Sequence, residues 1–96
     1  MMTYAIKIDP KDNVAVVTDE VRADDLVFYK NPDGSKTEIK AITPVTVYHK
    51  IAIADIAKGE KVVKYGEHIG EASCDIKTGE HVHTHNVESV REDLKI

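Results

Sequence analysis

The 96 residues predict a small all-β domain. Three observations carry that expectation: β-branched residues gathered into short runs, turn formers between the runs, and a pattern that recurs after twenty residues. The first run is Ala5-Ile6-Lys7-Ile8, and Asp9-Pro10-Lys11-Asp12-Asn13 turns the chain into the second, Val14-Ala15-Val16-Val17. Proline presets the φ that a turn requires, while Asp and Asn hydrogen-bond nearby backbone. Asn31-Pro32-Asp33-Gly34 repeats this chemistry and predicts a hairpin loop, with Gly34 available for positive φ; the insert from Asn31 to Lys40 is otherwise undistinctive. Further runs at Val45-Thr46-Val47-Tyr48, Ile51-Ala52-Ile53, Val62-Val63-Lys64-Tyr65 and Val82-His83-Thr84-His85 are short and suit a pleated surface better than a helix.

The recurring pattern is Ala-x-x-Asp-Ile-x-x-Gly-Glu-x-Val. It occurs at Ala52, Asp55, Ile56, Gly59, Glu60 and Val62, and again at Ala72, Asp75, Ile76, Gly79, Glu80 and Val82. A fainter copy runs through Glu20, Val21, Asp24, Asp25 and Val27, where Asp stands for Gly; Asp is among the residues that tolerate a left-handed backbone. Each copy reads as one β-corner. The Asp accepts backbone N–H groups two or three residues on, the Gly reverses the chain, and the Ile and final Val face the core from either side. Three unequal copies favour a closed pseudo-symmetric unit over an open solenoid.

At this length one domain is expected, spanning 1–96, with a core over about 5–87 and a charged tail over 88–96 that reads equally as a short helix, a docking segment or disorder. So short a chain buries only about two-thirds of its unfolded surface, so an enclosed site is expected to borrow walls from another chain. Thirteen basic against seventeen acidic residues, without a long block of either sign, argue against nucleic acid. No apolar run approaches the roughly 20 residues of a membrane span and no basic-then-apolar leader is seen, so no membrane partner is expected and the cytoplasm is the default address. Cys74, among small and apolar neighbours, reads as a packing residue.

The chemistry concentrates in Gly79-Glu80-His81-Val82-His83-Thr84-His85-Asn86, which sets three of the five histidines at alternate positions. On an extended strand they share one face, with successive side chains starting about 6.6 Å apart. Two imidazoles at that spacing converge on one metal ion or one small anion. A solvated polar strand or an interface stripe is the other reading of the same residues. Without Cys ligands a closed zinc site is unsupported, and a partner or substrate must complete any coordination sphere. His49-Lys50 and Lys64-Tyr65-Gly66 lie at strand ends, where each ammonium suits a carboxylate or is simply solvated. His68 reads as a surface residue.

Taken in order, Asp12-Asn13-Val14-Ala15-Val16, His49-Lys50-Ile51-Ala52, Asp55-Ile56, Gly59-Glu60, Val63-Lys64-Tyr65-Gly66, Ile69-Gly70 and Gly79 to Asn86 resemble the amino-terminal region of altronate dehydratases. That region is a SAF domain, a small β-clip-like unit, and the resemblance runs from about residue 6 to 87. It implies a hydro-lyase subunit, inactive without a large catalytic dehydratase subunit. It implies a divalent metal, usually Fe2+, and a small anionic sugar acid that loses a C2 proton and a C3 hydroxyl to give a 2-keto-3-deoxy acid. Relatives in the same family eliminate sulfite from sulfolactate, and the His-x-His-x-His run tilts the chain toward the altronate or sulfolactate branches. The competing class is a non-catalytic binding or docking module, since fold alone does not settle function.

Carried onto this chain, the resemblance makes His83, His85 and His49 the catalytic candidates and His81, His83 and His85 the metal ligands. Lys50 and Lys64 hold substrate oxygens, and Asn86 orients the substrate. Tyr48 departs from the family, which more often has Gly before the His-Lys pair, and so puts in question the turn that aims His49 and Lys50. The small size leads us to expect self-association or a heteromer.

Overall fold

The β-branched runs become strands in the computed structural model, which describes residues 2–89. The strands are β1 (Met2–Ile6), β2 (Val14–Val17), β3 (Leu26–Lys30), β4 (Lys36–Lys40), β5 (Lys50–Ala52), β6 (Lys61–Lys64), β7 (Glu67–Ala72), β8 (His81–Val82) and β9 (Val87–Ser89). They form a six-stranded sheet in the order β4-β3-β1-β2-β5-β8 and a three-stranded sheet in the order β6-β7-β9. Only β1 and β3 pair in parallel among these described strands. The all-β expectation holds. The hairpin loop is where the sequence put it, between β3 and β4, with Gly34 at φ 92°. Of the expected charged tail over 88–96, Glu88 and Ser89 belong to β9, which corrects that part of the expectation, and from residue 90 on it lies outside the described residues.

Two cores hold the sheets. Val17, Val21, Val27, Val45 and Ile51 are buried with the small residues Ala5 and Ala15 beneath the six-stranded sheet. Val14, Ala52 and Val82 of that sheet meet Val62 and Ala72 of the other, with Ile56 and Ile76 between them. Fully burying each such aliphatic side chain contributes about 1.5–3 kcal/mol, so these few residues dominate the hydrophobic stabilisation.

Four corners, not three, organise the chain: Val21 to Asp25, Val45 to His49, Ile56 to Glu60 and Ile76 to Glu80. Each begins with a buried aliphatic residue, and two residues past each corner stands another: Val27, Ile51, Val62 and Val82. Each turns left-handed at its fourth residue, with φ 73° at Asp24, 66° at Tyr48, 88° at Gly59 and 95° at Gly79. The corners pair two by two. Val21 and Val45 exchange N–H···O bonds of 2.9 Å in both directions, and Ile56 and Ile76 exchange bonds of 2.8 and 2.7 Å.

The stretch Val45 to Tyr48, expected as a strand, is therefore the second corner. Its signature is hidden because Pro44 and Tyr48 stand where the repeat carries Asp and Gly. A further expectation is corrected. Asp55 and Asp75 do not close their own turns: Asp55 Oδ1 accepts from Thr78 N and Asp75 Oδ1 from Lys58 N, both at 2.8 Å, so each caps the opposite corner. The fifth residue braces its own corner instead. Asp25 accepts from Arg22 N at 2.9 Å, Glu60 from Ala57 N at 2.6 Å and Glu80 from Lys77 N at 2.8 Å. In the second corner the fifth residue is His49, which has no carboxylate.

Tyr48 makes its turn despite its side chain, at a cost of about 1 kcal/mol for a left-handed backbone with a Cβ. It is 74% exposed, so removing the ring sacrifices little burial. Tyr48→Gly is expected to stabilise the domain by about 0.5–1 kcal/mol, and Tyr48→Ala not at all. Urea denaturation at unchanged m-value checks this, and a lower midpoint for the Gly variant contradicts it.

Candidate functional site: a histidine cluster beside Lys50

The second and fourth corners lead into β5 and β8, which pair antiparallel with Lys50 opposite Val82 and Ile51 opposite His81. This register brings His49-Lys50 beside His81. Thr43 Oγ1 accepts from His81 N at 2.9 Å and fixes the start of β8. The chain then leaves the ladder. Asn86 N donates to His83 O at 3.1 Å, Asn86 Oδ1 accepts from His83 N at 2.9 Å, and Asn86 Nδ2 donates to His81 O at 2.9 Å.

The expected histidine strand over residues 82–85 is thus corrected: only Val82 stays in β8, and His83 to Asn86 form a turn. The physical reason is the Asn86 amide, which bonds two backbone groups that would otherwise seek strand partners. The turn still gathers the rings. His49 stacks on His83 with centroids 4.0 Å apart and planes at 12°, and on His81 at 5.1 Å and 20°. His85, exposed, lies tilted against His81 at 5.1 Å.

Nitrogens of His49, His81 and His83 all lie within 4.8 Å of one another, so the convergent trio exchanges His85 of the sequence-based metal set for His49. The 2.9 Å between His49 Nδ1 and His81 Nε2 needs one nitrogen protonated and the other bare. His83 Nδ1 is buried without a hydrogen-bond partner. An orphaned buried ring nitrogen costs about 1–3 kcal/mol, and with two more imidazoles at hand it suits a transition-metal ion.

Burial, then the neighbouring His85, His49, His83 and Lys50, pushes His81 down to about 4. His83 is lowered by the same kinds of cause, desolvation first and then His49, Lys50 and His85. Because folding depresses the His81 pKa, the unfolded chain binds the extra proton between pH 6.5 and about 4, and stability falls as pH falls through that window. Melting temperatures of the metal-free chain are expected to drop steadily from pH 7 to 4. A His81→Gln variant is expected to flatten that slope, and an unchanged slope counts against the cause given.

Lys50 is half-buried; desolvation lowers its pKa and Lys64 lowers it further. With Ile69, His83, Thr84 and Val87 it lines an open cleft of about 120 Å3. Lys64 acts on this cleft through charge, its ammonium standing 5.3 Å from the Tyr65 ring. Asn86, read from sequence as a substrate contact, is only 3% exposed, with both ends of its amide engaged by the histidine turn, so it is placed to position His81 and His83.

A larger cleft of about 260 Å3 lies between the third and fourth corners, but Asp55, Glu60 and Asp75 along it already accept backbone N–H bonds. Two minor readings are corrected. Cys74 is exposed rather than packed, and His68 is half-buried with a buried, unpartnered Nε2. Sequence reasoning missed His49 as a member of the trio; the signal was its place at the fifth position of a corner, where the other three carry acids.

Paired β-corners that present stacked histidines and a half-buried lysine beside an open cleft define a small all-β domain of the β-clip type. Residues 3–90 match the altronate/galactarate dehydratase SAF domain, and the chain belongs to that family. It is 40% identical over 89 residues to an altronate dehydratase of Escherichia coli (strain K12), covering 93% of this chain and 17% of that protein. It is 34% identical over 95 residues to an altronate dehydratase of Bacillus subtilis (strain 168), covering 99% of this chain and 18% of that protein. It is 40% identical over 87 residues to the (2R)-sulfolactate sulfo-lyase subunit alpha of Chromohalobacter salexigens, covering 86% of this chain and 90% of that subunit. The chain therefore spans less than a fifth of these altronate dehydratases and most of the sulfo-lyase subunit.

Proposed function

We propose that this domain is the small subunit or amino-terminal part of an altronate dehydratase-type lyase, and that it contributes one wall of an active site shared with a large dehydratase chain. The observation that carries this reading is the convergence of His49, His81 and His83, the last of which lines an open cleft together with Lys50. The substrate class is a sugar acid that loses water to give a 2-keto-3-deoxy acid. Sulfite elimination from sulfolactate is the second reading, favoured by the 90% coverage of a sulfo-lyase subunit.

His49, His81 and His83 would hold the divalent metal, Fe2+ on the family's precedent, and the orphaned His83 nitrogen fits that use. When bound, such an ion lends Lewis acidity toward a substrate oxygen. Lys50 binds a carboxylate or sulfonate oxygen, and its desolvation strengthens that attraction. Lys64 adds positive potential at Lys50. His85, exposed beside His81, would accept the C2 proton. Asn86 keeps the histidine turn in shape. An exposed single thiol at Cys74 suits the reducing cytoplasm.

The test is an elimination assay on the chain alone, and mixed with the large dehydratase-type chain of the same source, under reducing conditions with Fe2+, offering altronate and 3-sulfolactate in parallel. Turnover is expected only in the mixture. The His49→Ala, His83→Ala double variant is expected to lower kcat by about 100-fold or more, and chelation to abolish turnover until metal is restored. Full activity in the double variant sinks the reading in favour of a binding module.

A further inference from the structure

Among the described residues, one face of the six-stranded sheet is only half covered. On β1, β2, β3 and β5 alternate residues, Ala5, Ala15, Val17, Val27, Tyr29 and Ile51, turn inward to the first core. Their neighbours turn to the opposite face. There Val14, Ala52 and Val82 are buried by the three-stranded sheet, but Val16, Ile6, Tyr4, Phe28 and Leu26 lie beyond its reach. Register makes them one strip: Val16 stands opposite Ile6, Tyr4 opposite Phe28, and the two aromatic rings touch with centroids 6.1 Å apart. Tyr4 is 54% exposed, Ile6 42% and Leu26 38%. A contiguous exposed apolar strip on a small domain marks an interaction surface.

We propose that this strip is the docking face for the large dehydratase chain, an inference that rests on the shared-site reading above. Three observations choose that occupant. The strip runs directly into the site, because Val16 is the register partner of Lys50, so a chain seated on it also walls the Lys50 cleft. In the altronate dehydratases of Escherichia coli and Bacillus subtilis the matched segment is 17% and 18% of the protein, so in those proteins the domain shares a far longer chain that is available to cover it. The border is mostly basic: Lys36 stands 5.9 Å from the Tyr4 ring, Lys30 and Lys50 lie along the strip's edges, and Glu38 opposite Phe28 is the acid among them. The complementary surface is therefore apolar with an acidic rim. Docking is by face and not by strand addition, because the free edge strand β4 alternates Lys36, Glu38 and Lys40 along the same face, a pattern that resists edge pairing.

Binding to the cognate large chain, followed by calorimetry, tests this. Ile6→Glu and Tyr4→Glu are each expected to weaken binding by about 100-fold or more, and Lys58→Glu, on an exposed corner away from the strip, to leave it unchanged. Hydroxyl-radical footprinting of the unaltered chain gives a readout that no folding defect can imitate: oxidation of Tyr4 is expected to fall several-fold when the large chain is added. Full oxidation of Tyr4 in a complex that forms overturns the docking face, and so does failure of the two chains to bind. Concentration-dependent protection of Tyr4 in the chain alone assigns the face to a second copy and overturns the occupant named here. Binding through the strip without turnover leaves the docking face standing and removes the lyase reading, while turnover that survives Ile6→Glu with unchanged affinity does the reverse.

Discussion

Alanine in place of Gly79 is expected to cost the domain about 3 kcal/mol or more, whereas alanine in place of Gly59 costs about 1–2 kcal/mol. The two glycines hold the same place in paired corners, at φ 95° and 88°, so the backbone penalty is common to both. What differs is the surroundings. A Cβ at position 59 meets nothing within 4 Å, but at position 79 it would come within 2.3 Å of the Lys40 carbonyl oxygen and 3.2 Å of Ile42 N. Those are backbone atoms that cannot rotate away, and the Gly79 carbonyl also accepts from Ile42 N at 2.8 Å. Relief requires the fourth corner to part from the end of β4, which carries Glu80 and His81 with it. Urea denaturation of the two variants checks the contrast, and equal losses refute it.

Asn86→Ala is the second large effect, and it separates positioning from substrate contact. The substitution leaves His81 O and His83 N, both held by the amide in the folded chain, without their partner. These groups are part-buried, so each costs about 1 kcal/mol or somewhat more when stranded, and a loss of about 2–3 kcal/mol is expected. At the site, where such supporting residues typically matter 10–100-fold, metal affinity of the surviving folded fraction is expected to fall by about that factor. Asn86→Asp keeps an acceptor for His83 N and loses the donor to His81 O, so its effects fall between the two. Metal titration by calorimetry reads the affinity directly. An Asn86→Ala variant with unaltered metal affinity and a raised KM alone would instead make Asn86 a substrate contact.

Much of this was written in local sequence. Alternation and turn chemistry made the all-β class legible, and the twenty-residue repeat located two corners and, through Asp24, a third. The remaining one, the second corner, escaped because Tyr48 adopts a left-handed backbone that a tertiary partner, here Val17 accepting from Tyr48 N at 2.9 Å, helps to hold. Strands β3 and β9 were not named among the runs, and β4 and β7 escaped because Lys36-Thr37-Glu38-Ile39-Lys40 and Glu67-His68-Ile69-Gly70-Glu71-Ala72 are charged segments whose pairing is decided by their neighbours. At the site, sequence spacing named the histidines that gather there, while the exchange of His85 for His49 in the trio depended on a register between β5 and β8 that no local pattern encodes. The backbone bonds of Asn86 were not legible for a related reason: an amide can face a ligand or its own backbone, and the difference is three-dimensional.

The second corner differs from its three fellows in one respect that reaches past architecture. In them an acidic fifth residue ties down the corner's own amide, whereas His49 turns its ring away to the histidine stack. That bend is therefore the least self-sufficient of the four, and whatever grips the His49 ring also tightens the peptide that carries it. Occupancy of the site and the firmness of this one bend are a single equilibrium seen from two ends, so a ligand engaging His49 registers as a higher melting temperature before any chemistry is measured.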